Sequence, residues 1–207
     1  MKIIVSILAI AILMFGGCRS PQESSARIDY DFSTLDKVAI VAVEGAVTSE
    51  AAKDQIADFF AIELLEQGYA PVGRSQVRAQ LAGQESESKD LTTTEAAVEV
   101  GLILDVPAVL AIKIPHFGEE IAITAKMINV EDGSTLWLAS GSGKGKRTLS
   151  RMFGLGGGGN DQLMGNVMGG PMGAPPAQPL SPDEADKAQR IIKRMCRSLP
   201  TKTTPVW

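Results

Sequence analysis

After its first residue, the segment Lys37-Val-Ala-Ile-Val-Ala-Val43 is apolar at every position. So short and continuous a run, rich in β-branched side chains, suits a strand buried inside a sheet. A helical period follows over residues 49–67, where Ile56, Ala57, Phe60, Ala61, Leu64 and Leu65 share one face. Thr48 or Ser49 can cap its start, and Gly68 stops it. Phe59 and Ile62 fall off the centre of that stripe, which makes them flanking core or part of a partner surface. Residues 69–72 read as a brief strand, and Ser75 as the cap of a short helix over 76–81. Beyond a charged loop, Thr92-x-x-Glu95 forms a capping box that opens a helix to about residue 104, with Ala96, Ala97, Val100, Ile103 and Leu104 as its apolar residues. Residues 108–114 are the next buried strand. Two further strands, 120–130 and 134–142, flank the hairpin turn Glu131-Asp132-Gly133. The expected fold class is α/β: a single compact domain, with helices packed on a mixed sheet of about five strands.

Composition changes abruptly at the end of that hairpin. Lys144, Lys146, Arg147 and Arg151 form a basic cluster, and residues 144–180 are rich in Gly, Met and Pro. No period of 2 or 3.6 runs through this stretch, so it is expected to be a flexible insertion. Ser181-Pro182-Asp183-Glu184 then combines an N-cap, a proline at the first helical position and a capping-box glutamate. The helix it opens places Ala188, Ile191, Ile192, Met195 and Leu199 inward and leaves Lys187, Arg190, Lys193, Arg194 and Arg197 outside. Residues 37–143 and 181–199 thus make up the expected domain, and 200–207 a tail.

The chain begins as a secretory signal does. Lys2 supplies a positive start, residues 3–15 run apolar with only Ser6 interrupting, and Gly16-Gly17-Cys18 closes the segment. Small residues directly before a cysteine resemble the bacterial lipobox, which implies cleavage after residue 17 and lipid on Cys18. Acyl chains there would hold the protein to a membrane at about 0.8 kcal/mol per buried CH₂. Residues 18–36, polar and mixed, read as the lipidated cysteine and a tether. With Cys18 acylated, Cys196 has no disulfide partner, and its apolar neighbours mark it as a packing residue.

Chemistry beyond anchoring finds little support. The net charge of −4 argues against a nucleic-acid partner. A single histidine, His116, and no Cys/His cluster argue against a zinc site. Gly141-Ser-Gly-Lys-Gly-Lys-Arg147 lacks both the glycine five residues before its Gly-Lys pair and the hydroxyl after it that a phosphate-binding loop needs. Acidic residues are scattered over turns and helix exteriors rather than paired for acid–base work. No cofactor, small-molecule substrate or enzymatic activity is expected.

The order of elements carries a resemblance. Residues 37–43, 61–78 (AIELLEQGYAPVGRSQVR), 97–114 (AVEVGLILDVPAVLAIKI) and 127–143 (MINVEDGSTLWLASGSG) resemble the periplasmic domain of the CsgG-like (curli assembly/transport) lipoproteins. That group is related in fold to the N-terminal domain of TolB and to lipoprotein activators of penicillin-binding proteins. The resemblance implies a lipoprotein of the outer membrane, facing the periplasm, that binds an envelope protein partner or itself in assembly, secretion or cell-wall support. The alternative is a subunit of a ring-forming secretion channel. Lys144, Lys146, Arg147, Arg151, Phe59 and Ile62 are the candidate contact residues, and the four cations also suit an anionic envelope polymer. Between these elements there are no paired runs of about 9–11 alternating residues, the length a membrane barrel strand needs.

Overall fold

The computed structural model describes residues 22–83, 90–144 and 178–202. Among them six strands form one mixed sheet: β1 (Gln22–Ala26), β2 (Lys37–Gly45), β3 (Ala70–Val72), β4 (Ala108–His116), β5 (Glu120–Asn129) and β6 (Thr135–Lys144), in the order β1-β6-β5-β4-β2-β3. Strands β3, β2 and β4 run parallel, whereas β4, β5, β6 and β1 alternate in direction. Four helices pack on the sheet: α1 (Glu50–Glu66), α2 (Arg74–Leu81), α3 (Thr94–Ile103) and α4 (Pro182–Cys196).

The mixed α/β reading holds, with one strand more than expected. That strand is β1, which lies inside the stretch read as a tether. Its residues Gln-Glu-Ser-Ser-Ala carry no apolar signal, because an edge strand takes its hydrogen bonds from its neighbour without needing a buried side chain. Phe32 and Leu35, also within that stretch, are core residues. At the other end the expected tail begins with packed chain. The Tyr69 hydroxyl donates to the Pro200 carbonyl at 2.6 Å, and Lys202 donates its backbone N–H to the Gln67 carbonyl.

Helix starts differ from expectation by a residue or two. Gly73, not Ser75, stands at the N-cap of α2 without a side-chain bond. Thr93, not Thr92, caps α3 by accepting from the Ala96 N–H, while the Thr92 hydroxyl turns back to Asp90. The Ser181–Glu184 capping box on α4 forms as expected.

Two cores result, one on each face of the sheet. Helices α1 and α4 cover the first, where Ile40, Leu110, Ile112, Ile123, Met127 and Trp137 are buried. Trp137 donates its indole N–H to the Ser198 hydroxyl at 3.0 Å, so its one polar atom is satisfied. Gly141 lets α4 lie this close: a Cβ there would stand 2.9 Å from Ile191 Cγ2. The second face is covered by α2 and α3 over Ala39, Val41, Val109 and Ile128. Across β5 and β6 that face carries Thr124, Lys126, Leu138 and Ser140, all at least partly exposed.

Candidate protein-interaction surface

The parallel strands end beside a cluster of charges. β2 delivers Glu44 at its end, and α1 presents Glu50, Lys53 and Asp54 in its first turns. α2 faces them with Arg74 and Arg78, one turn apart. Arg74 is buried at 6 % side-chain exposure and donates to Asp54 Oδ1 at 2.6 Å and to Glu50 Oε2 at 2.7 Å. Arg78 reaches the same Glu50 oxygen at 2.6 Å. Lys53 lies 3.1 Å from both Glu44 and Glu50. Partial burial works against the charge on Glu50, yet the hydrogen bonds from Arg74 and Lys53 prevail and hold its carboxyl at about 2. Each carboxylate here is matched by a cation, which locks α1 to α2. Sequence reasoning missed this clamp; its signal was the i,i+4 spacing of Glu50 with Asp54 and of Arg74 with Arg78, repeated on successive helices.

The same end of the sheet gathers the described chain around residues 145–177. β6 ends there at Lys144, paired in register with Glu120. Residues 178–180 return to α1, where the Ser49 hydroxyl donates to the Gln178 carbonyl and the Leu180 N–H donates to Gln55. β1 also starts at this end, with Gln22 opposite Gly141. The chain thus enters the fold at the end where the insertion leaves and rejoins it.

The two outer helix surfaces differ in sign. On the first face, Ile62 and Leu65 of α1 are 45 % and 61 % exposed, and Glu66 beside them lies 3.7 Å from Lys193 of α4. Arg190, Lys193, Arg194 and the C-cap Arg197 make the C-terminal half of α4's exposed side basic. On the second face, α3 exposes Leu102 at 67 % and Ile103 at 40 %, together with Glu95 and Glu99 and without a cation in its length.

The expected contact residues divide. Phe59 is half-buried and packs against the first core, whereas Ile62 is a surface residue. Lys144 is exposed at the end of β6. Cys18, Lys146, Arg147 and Arg151 lie outside the described residues. Leu65 and Ile103, expected inward, point out. Glu63 takes an inward place on α1 instead, where burial raises its carboxyl and Glu66 adds to that, against Lys193 and Arg197. His116 is the exposed last residue of β4. Cys196 is 1 % exposed, and burial pushes its thiol up to about 12, well away from the thiolate a nucleophile needs. Among the described residues no three His, Cys, Asp or Glu side chains are grouped to hold a metal. No helix among them is long and apolar enough to cross a membrane.

No protein-family profile matches the sequence, and no curated protein does. Solved structures do share the fold. PelC from Paraburkholderia phytofirmans, solved as a dodecamer, superposes with a TM-score of 0.51 at 13 % identity, covering 88 % of this chain and 99 % of that one. The lipoprotein GNA1162 from Neisseria meningitidis gives 0.44 at 15 % identity, over 65 % of this chain and 99 % of that one. The C-terminal domain of LpoB from Escherichia coli gives 0.43 at 16 % identity, over 56 % of this chain and 89 % of that one. At 13 % identity the likeness to PelC is one of fold.

Proposed function

We propose that this chain is an outer-membrane lipoprotein, acylated on Cys18 and facing the periplasm, that works by binding envelope proteins or copies of itself and not by catalysis. The observation that carries the reading is the fold it shares with PelC over nearly all of that protein, which was solved as a dodecamer. The signal-like start and Cys18 supply the anchor. The described surface offers the rest: apolar side chains at the ends of α1 and α3 and charges of opposite sign around them, with every carboxylate of the one dense polar cluster neutralised by a cation.

Self-association is the form of binding favoured, and a second reading follows from it. As a CsgG-like ring subunit, the chain would belong to a secretion or export channel. The element order of residues 37–143 and 181–199 supports that alternative.

Crosslinking of the full lipidated protein in its own membranes, followed by affinity capture, tests the proposal. A crosslinked homo-oligomer, or one envelope protein captured in fixed ratio, is expected. A reproducible hydrolytic or transferase activity abolished by a single polar-to-Ala change would overturn it. For the channel alternative, the purified oligomer should conduct ions in a planar bilayer; an oligomer that never conducts excludes it.

A further inference from the structure

We propose that copies of this chain associate head to tail, the α1/α4 surface of one seated on the α3 surface of the next. This rests on the self-association reading and names the contact. Each surface carries a pair of large apolar side chains that folding leaves in water: Ile62 and Leu65 on one, Leu102 and Ile103 on the other. Exposed apolar side chains grouped this way mark contact surfaces more often than solitary ones do. Their surroundings are opposite in charge. Lys193, 3.7 Å from Glu66, and Arg197 flank the first pair; α3 brings Glu95 and Glu99 to the second with no Lys or Arg in its own length, while Lys126 of β5 donates to Thr94 at its start.

Geometry decides how such surfaces can meet. α1 and α4 lie on one face of the sheet and α3 on the other, so the two patches point in opposing directions. Each patch sits toward the same end of the sheet, because α1 and α3 both finish there, just before β3 and β4 begin. A single copy cannot bring its own patches together. A second copy can, and the contact it makes uses different surfaces on the two partners. Repetition of such a heterologous contact closes a ring or extends a filament. Like patches placed against each other would instead set Lys193 and Arg197 against their own kind, which is repulsive.

The test uses full-length lipidated protein in detergent micelles, with native mass read against concentration. The variants are Lys193→Glu with Arg197→Glu, and Glu95→Lys with Glu99→Lys. All four positions are exposed, and a thermal melt checks that each variant folds. Either reversal alone is expected to raise the concentration of half-assembly about tenfold or more. Mixed one to one, the two variants present complementary surfaces again and should regain wild-type assembly. Leu102→Asp should weaken assembly without reference to any ion pair. Wild-type oligomers that both reversals leave intact, or a mixture that fails to recover, would overturn this contact and leave self-association standing. A wild-type protein that stays monomeric would overturn both.

Discussion

Gly101→Ala places one methyl group into the seat of α3. The Cβ would stand 2.3 Å from Val130 Cγ2, 3.0 Å from Val109 Cγ1 and 3.1 Å from Val130 Cγ1. Both valines are buried, and their β-branched side chains are restricted at χ1. In an exposed helix the same change would stabilise by about 1 kcal/mol, since alanine is the better helix former. Overpacking a filled core costs about 1–3 kcal/mol, and a contact this short lies at the upper end. The net expectation is a loss of about 2 kcal/mol, lowering Tm by about 4–8 °C for a chain of this size. Val130→Ala removes two of these three atoms, the one at 2.3 Å included, and leaves Val109 Cγ1 at 3.0 Å, so in that background Gly101→Ala should lose most of its cost. Thermal melts of the wild type, both single variants and the double variant read the coupling directly. A stabilising Gly101→Ala in the wild-type background would refute the seating of α3 on β4 and β5, and with it the position of the acidic patch.

Three further outcomes follow. Arg74→Ala strips Glu50 and Asp54 of their buried partner and should cost about 2–3 kcal/mol at pH 7 by chemical denaturation, less than a fully buried pair because Arg78 and Lys53 remain. Glu50 is held at about 2 against an ordinary 4.5, so its contribution is present above pH 4.5 and fades as pH falls toward 2; the gap between wild type and variant should shrink over that window. Glu63 shifts the other way: with its folded carboxyl raised, its contribution is complete below its unfolded value and is lost as pH rises through the folded one. Glu63→Gln should therefore stabilise the protein at pH 8 more than at pH 4, and an equal effect at both would contradict its burial. Cys196 should resist thiol reagents at pH 8 in the native protein and react fully in denaturant, whereas rapid native labelling would place it at the surface.

How much of this was legible in the chain depends on what each residue leaves as a trace. The run at 37–43, and the alternation of Ile121, Ile123, Ala125 and Met127 with Ala122, Thr124 and Lys126 along β5, are dictated by burial, and the structure buries both as their periods say. The Ser181–Glu184 box is equally explicit, because capping chemistry is local. With Thr92, Thr93 and Thr94 in a row, a cap can slide by a residue at no sequence cost, and it did. β1 was invisible because its partner supplies the hydrogen bonds. The exposed Leu65 and Ile103 were the harder miss: α1 and α3 carry apolar residues around much of their circumference, so periodicity does not say which side meets the sheet.

The most direct measurement is the native mass of the full-length lipidated protein in detergent micelles, followed by dilution. The account predicts an integer multiple of the single chain that dissociates on dilution and more readily at high salt, where contacts between exposed charges are screened. A monomer across the whole concentration range, with no envelope protein bound, would contradict it.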